Sequence, residues 1–182
     1  MRPQFVLASL AALAAVSFTG ALAALPPTYE AVLANPNGSP VGTARFVAVG
    51  NGVQMTVRVH DLLPGQHGLH LHAGSSCDAS TDAAGAVTTF GAAGPHYDPG
   101  STGRHRGPDG GGHAGDFPVL IVNDDGNGAV TYFDAGLSGT GANGIDGHAL
   151  IVHANPDNYT DTPPNGGSGA RVACGLVGPT SR

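Results

Sequence analysis

Hydrophobic and polar residues alternate with a period of two along much of this chain. The clearest run is Val53 to His60, where Val53, Met55, Val57 and Val59 share one face. That is the pattern of a strand with one side in a core and the other in water. Similar runs predict strands at Thr28 to Asn35, closed by Pro36, Asn37 and Gly38, and at Val41 to Val49, with Asn51-Gly52 as a two-residue hairpin turn into the third strand. Leu62 to Gly65 then turn the chain into a fourth strand, His67 to His72. Phe117 to Val122 and Ala129 to Phe133 form a hairpin around Asn123 to Gly128. That segment begins like a calcium loop but lacks the closing glutamate, so it reads as a turn. His148 to His153 and Arg171 to Val177 complete eight strands. Two long segments, Gly74 to Gly115 and Ala154 to Gly169, have no periodicity. The Gly139-x-Gly141-x-x-Gly144 match to a dinucleotide fingerprint is discarded, because a short β-rich run follows it where a helix is needed.

Thirty glycines and fourteen prolines, with no tryptophan and no lysine, suit short strands joined by turns better than helices. The 182 residues are one domain's worth of chain, long enough to bury a sizeable core. Residues 1–23 are set apart: Arg2, an apolar run through Phe5, Leu7, Leu10, Leu13 and Val16, and then Ala21-Leu22-Ala23 have the layout of a secretory signal. The expected division is a signal at 1–23 and one domain at 24–182, with no stable membrane insertion once the signal is removed. An uncleaved anchor is the competing reading. Arg2 apart, six arginines stand against thirteen acidic residues. No basic stripe is available to meet phosphate, and a nucleic-acid partner is not expected. Cys77 and Cys174 are the only cysteines. Two cysteines in an exported chain usually pair, the alternative being two buried thiols.

The chemistry gathers on the fourth strand and the long loop. Alternation puts His70 and His72 on one face and Leu69 and Leu71 on the other. The loop adds His96 in GPHYDP, His105 in RHRGP, and His113 with Asp116 in HAGD. Three imidazoles and a carboxylate make the closed tetrahedral shell usual for structural zinc. His70 and His72, with a histidine from a facing strand such as His153, make an imidazole-rich site suited to copper. One imidazole deprotonated at both nitrogens can serve both ions, and His96, first in the loop, is best placed for it. His67 is out of phase with His70 and His72, so it is expected to support the site by hydrogen bonds. His60 and His148 are expected at the surface or an edge.

Together these motifs resemble the secreted copper/zinc superoxide dismutases. HGLHLHAGSSC, AAGPHYDP, HAGD, LIVHA and GARVACG stand in that family's order and span nearly all of the chain from Thr28 to Gly178. The resemblance implies an all-β fold, an eight-stranded Greek-key β-barrel or flattened sandwich with two long functional loops. It implies a copper ion on His70, His72, His96 and His153, a zinc ion on His96, His105, His113 and Asp116, and a Cys77 to Cys174 disulfide. Asp157 would join His70 to His105, and Arg171 would hold a small anion beside the copper. The implied activity is dismutation of superoxide to oxygen and hydrogen peroxide by a copper redox cycle, with His96 carrying a proton, as an antioxidant defence in a periplasm or the medium. One departure concerns attraction of the substrate: the Ala154 to Gly169 loop carries no lysine, which leaves Arg104 and Arg106 as candidates to compensate. Two rivals are an exported copper/zinc-binding or metal-delivery barrel without turnover, and a structural barrel that binds zinc only. The complete ligand set and Arg171 argue against both. The alternating strands single out no dimer face, so monomer and homodimer both stay open.

Overall fold

The computed structural model describes residues 25–180, so the expected signal at 1–23 lies outside the described residues. The chain opens with a meander of β1 (Thr28–Ala34), β2 (Pro40–Val49) and β3 (Gly52–Val59). β4 (Gly65–His67) and β5 (Leu69–His72) follow, then a two-stranded hairpin of β6 (Ser80–Thr81) and β7 (Val87–Thr88). β8 (Leu120–Val122), β9 (Gly128–Asp134), β10 (Ala149–His153), β11 (Arg171–Leu176) and the short β12 (Gly178–Pro179) complete the order.

In the main sheet the strands run β4-β8-β9-β3-β2-β1-β11-β10-β5, with β12 beside β1. Only Gly68 separates β4 from β5, yet they stand at opposite ends of that order. They are therefore one strand, split where it turns from one neighbour to the other, and through it the sheet nearly closes into an antiparallel barrel. Counting that strand once and setting aside β12 and the β6-β7 hairpin recovers the eight expected strands. The links β3 to β4 and β9 to β10 each pass over two strands, the crossovers of a Greek key.

The core follows the alternation. Tyr29, Ala31 and Leu33 of β1, Val41, Ala44 and Phe46 of β2, and Val53, Met55, Val57 and Val59 of β3 all point inward. Leu69 and Leu71 meet them from β5, and Leu150 and Val152 from β10. A second, smaller cluster lies on the outside of the barrel. It gathers Phe90, Ala93, Ala149, Ile151 and Cys174 with Cys77 packed against them. Cys77 and Cys174 form the disulfide that ties the long loop to β11.

Three expectations are corrected. Val49 pairs with Gly52, so the hairpin turn is Gly50-Asn51, one residue earlier than expected. Gly50 takes φ +59°, the glycine-first form of a two-residue turn. The strand expected from Phe117 begins at Leu120, because Pro118 has no N–H to give a ladder; Phe117 is buried in the core beside it. The long loop is not structureless, since it carries the β6-β7 hairpin and a 3-10 turn at Gly91–Ala93.

Candidate metal centre

β5 and β10 lie side by side, with Ile151 opposite His70 and Ala149 opposite His72. His70, His72 and His153 therefore leave the same outer face, and His153 comes from the neighbouring strand rather than a facing one. The long loop returns to the same place twice. Its backbone pairs His96 with His72 and Asp116 with His70. Leu71 N–H donates to Gly115 O at 2.9 Å, and Tyr97 N–H to Leu71 O at 2.8 Å. A Cβ on Gly115 would lie 2.2 Å from Leu71 O, so only glycine lets the loop come this close.

Two adjoining groups of ligand atoms result. His70, His72, His96 and His153 offer atoms within 4.8 Å of one another, and so do His70, His96, His105 and Asp116. His70 Nε2 donates to Asp157 Oδ2 at 2.5 Å, which leaves Nδ1 as its free atom. His113 reaches the second group differently, with Nδ1 3.4 Å from Asp116 Oδ1.

The hydrogen bonds fix which ring nitrogens carry protons. His72 Nδ1–H donates to Gly94 O at 2.8 Å, and His153 Nδ1–H to Gly169 O at 3.1 Å. Both Nε2 atoms are then bare lone pairs, and they face each other across 3.3 Å. Two lone pairs cannot hydrogen-bond one another, but two ligands of one cation sit this way. His70 Nδ1, His96 Nε2 and His105 Nδ1 are buried with no hydrogen-bond partner. His105 Nδ1 does approach Asp116 Oδ2 to 2.9 Å, without the geometry of a hydrogen bond, again like two ligands of one ion. The donor set therefore fits imidazole-loving copper and zinc.

Burial keeps these rings neutral and able to ligate. It lowers the pKa of His70, and it takes His72 to about 2, His96 to about 4 and His153 to about 3, with neighbouring imidazoles adding to the effect. His105 goes the other way. Burial opposes its charge, but the carboxylates of Asp116 and Asp157 outweigh burial and raise it to about 9. For the same reason both carboxylates are held well below their usual range despite burial.

Asp157, in the second loop, spans the two groups. Besides His70 it accepts from His105 Nε2–H, at 2.8 Å to Oδ1, and from the backbone N–H of Tyr159. Gly166, at φ +68°, packs against it so closely that a Cβ would lie 1.9 Å from Oδ1. His67 is buried behind the histidines, with its ring nitrogens 2.7 Å from His153 O and 2.8 Å from Leu63 O, and does not join either group. His60 is exposed beside Asp61, and His148 sits half-buried at an edge.

A cavity of about 200 Å³ opens above His72, His96 and His153, with Arg171 in its wall and Pro164, Asn165, Ser168 and Gly169 around it. Arg171 is its one cationic side chain; Arg104 and Arg106 do not line it. The guanidinium donates from Nη1 to Phe90 O and from Nη2 to Gly94 O, both at 2.6 Å. Sequence reasoning missed these two carbonyls, as it missed Asp161, whose carboxylate accepts from the His105 N–H at 2.7 Å. Backbone acceptors leave no signature in residue type, and Asp161 could have been suspected only from its nearness to Asp157.

A barrel with two adjoining nests of imidazole nitrogens, which share His70 and His96 and are spanned by the Asp157 carboxylate, is a two-metal protein. Known proteins give that class its chemistry. The family model for copper/zinc superoxide dismutase (SODC) matches residues 41–177. A Cu-Zn superoxide dismutase of Escherichia coli is 39% identical over 171 residues, covering 93% of this chain and 97% of its own. One from Brucella abortus is 42% identical over 150 residues, 82% of this chain and 84% of its own. The solved Cu/Zn superoxide dismutase from Brucella abortus superposes with a TM-score of 0.74 at 38% identity, covering 82% of this chain and 98% of that one. The chain belongs to the copper/zinc superoxide dismutase family. It is an oxidoreductase that dismutates superoxide, with copper and zinc as its cofactors.

Proposed function

We propose that copper is held by His70 Nδ1 and by Nε2 of His72, His96 and His153, and zinc by Nδ1 of His96, His105 and His113 with the Asp116 carboxylate. With its other nitrogen given to Asp157, His70 can serve only one of the two ions, and we assign it to copper beside its strand neighbours His72 and His153. The observation that carries the reading is the pair of bare Nε2 atoms on His72 and His153.

Copper held there would supply a one-electron couple for converting two superoxides and two protons into oxygen and hydrogen peroxide. The chain's residues do the rest. Arg171 holds the anion in the cavity by charge and by guanidinium N–H groups, and two backbone carbonyls fix its direction. His96, whose Nδ1 lies 2.9 Å from Asp116 Oδ1, would carry a proton on its otherwise unpartnered Nε2. Asp157 keeps the rings of His70 and His105 turned so that their Nδ1 atoms face the metals.

We infer further that residues 24–182 act outside the cytoplasm, in a periplasm or the medium. The Cys77–Cys174 bond supports this reading, because disulfides form and persist chiefly in oxidising compartments. The mature N-terminus should read Ala24, and active protein beginning at Met1 would refute cleavage there.

The site assignment is tested with His153→Ala beside the wild type, both loaded with copper and zinc. Metal analysis should find zinc retained and copper depleted, with superoxide removal lost in proportion. Full copper and full activity in the variant would overturn the assignment.

A further inference from the structure

Phe90 stands out in a loop of small residues. Its backbone is left-handed, at φ +54° and ψ +26°, a conformation that a residue with a Cβ rarely adopts. Glycine would take it without strain, and glycine is plentiful on either side. A bulky residue there implies that the ring does something a glycine could not.

The ring is buried, with 7% of the residue exposed, in the outer cluster with Ala93, Ala149, Ile151 and the Cys77–Cys174 disulfide. It is the one aromatic side chain of that cluster. The carbonyl of the same residue points the other way. It accepts from Ala93 N–H at 3.1 Å and from Arg171 Nη1 at 2.6 Å. The second acceptor for Arg171, Gly94 O, lies at the far end of the same 3-10 turn, and it also receives the His72 Nδ1–H. Both acceptors that aim the guanidinium are thus carried by one short turn. Backbone bonds hold the middle and far end of that turn, Ala92 N–H to Asp78 O at 3.0 Å and Gly74 N–H to Ala93 O at 2.7 Å, while at its leading end the phenyl ring packs against the barrel.

We propose that Phe90 is a positioning residue for Arg171: its buried ring pins the turn whose carbonyls aim the guanidinium into the cavity. This rests on the reading of Arg171 as the group that holds the anion. The Phe90 ring packs in the outer cluster and does not line the cavity, so its effect travels through the carbonyl that the same residue presents to Arg171. Loss of the ring frees the leading end of the turn and with it Phe90 O, so the guanidinium loses one of its two fixed acceptors and anion binding weakens; the far end, held by Gly74 N–H on Ala93 O, keeps Gly94 O on His72 and the metals in place.

The test uses the copper- and zinc-loaded protein and azide as a small monovalent anion, titrated by the change in the copper visible spectrum. Arg171→Ala should weaken azide about tenfold or more, the usual cost of losing a charged hydrogen-bonding partner. Phe90→Ala should weaken it about three- to tenfold, with the copper spectrum before azide and both metal contents unchanged. Phe90→Leu, which keeps an apolar anchor and tolerates folding better, should recover most of the affinity. The double variant Phe90→Ala with Arg171→Ala should bind azide no more weakly than Arg171→Ala alone, as expected of a residue acting through the arginine.

If Arg171→Ala weakens azide while Phe90→Ala and Phe90→Leu both bind it like the wild type, the positioning role is overturned and the reading of Arg171 stands. If the two losses simply multiply in the double variant, Phe90 is only a packing residue and the proposal also fails. If Arg171→Ala itself leaves azide binding unchanged, the reading of Arg171 fails first and the proposal with it.

Discussion

The side of the barrel made by β1, β2, β3 and β9 and the side made by β5, β10 and β11 start from similar alternating sequence and end in different surroundings. On the first, Glu30, Thr43, Arg45, Gln54, Arg58 and Thr131 stand in water on the outer face. A groove of about 350 Å³ runs over that face between Glu30, Arg45 and Arg58, larger than the cavity above the histidines, but no metal-ligating histidine lines it. On the second, every residue of β5 and β10 is buried, on both faces. The inner face packs in the core, and the outer face is roofed by the two long loops. Roofing turns a strand face into a site, because imidazoles kept from water stay neutral and their lone pairs stay directed.

If that division of labour holds, damage to one side should leave the other standing. Phe46 is fully buried on β2, away from the loops. Phe46→Ala should cost about 3–5 kcal/mol of stability in urea unfolding, with superoxide removal per folded, metal-loaded molecule unchanged. Asp157→Asn works on the roof. An amide puts an NH2 donor where one carboxylate oxygen accepts, either against His70 or against His105 and the Tyr159 N–H, so affinity for metal or activity should fall about ten- to a hundredfold, with the far-ultraviolet spectrum of the barrel preserved. A Phe46→Ala protein that folds but loses its metals would show the two sides to be one unit after all.

The wet side was also the easier to read from sequence. Val53, Met55, Val57 and Val59 declare their strand outright, since one face meets apolar neighbours and the other meets water. The site strand showed itself through the same rule only because its outward residues happen to be histidine. What the sequence could not carry was the roof. That the loop pairs twice with β5, at His96 and again at Asp116, depends on backbone bonds and on Gly115 lying against Leu71 O, which no side-chain pattern encodes. The turn at Gly50-Asn51 was misplaced by one residue because Asn51-Gly52 fits the commoner turn equally well. The histidines and the aspartate that the structure gathers into two groups were legible from motif order, whereas the carbonyls of Phe90 and Gly94 that aim Arg171 were not.

The smallest effect is also the most diagnostic of a roofed face, and it is read in the metal-free protein. His96 and His153 sit near 4 and 3, with His72 lower still, all because burial disfavours their charge. In the unfolded chain each returns to about 6.5. Between about pH 6.5 and 4 the unfolded chain therefore binds protons that the folded one does not, and stability must fall on acidification. Each ring adds up to about 1.4 kcal/mol per pH unit. His105 has the opposite sign. Raised to about 9, its contribution is fully present below about 6.5 and is lost as pH rises through 9. Asp116 and Asp157, held below the ordinary carboxylate range, lose theirs only in stronger acid. The urea midpoint should thus peak near pH 6.5 and decline on both sides, more steeply toward acid, where the rings of His70, His72, His96 and His153 act together. Metal should leave over the same acid range, because the nitrogens that bind it are the ones that protonate. A midpoint that stays level from pH 6.5 to 4.5 would mean that water reaches these histidines, and that the loops do not roof the face.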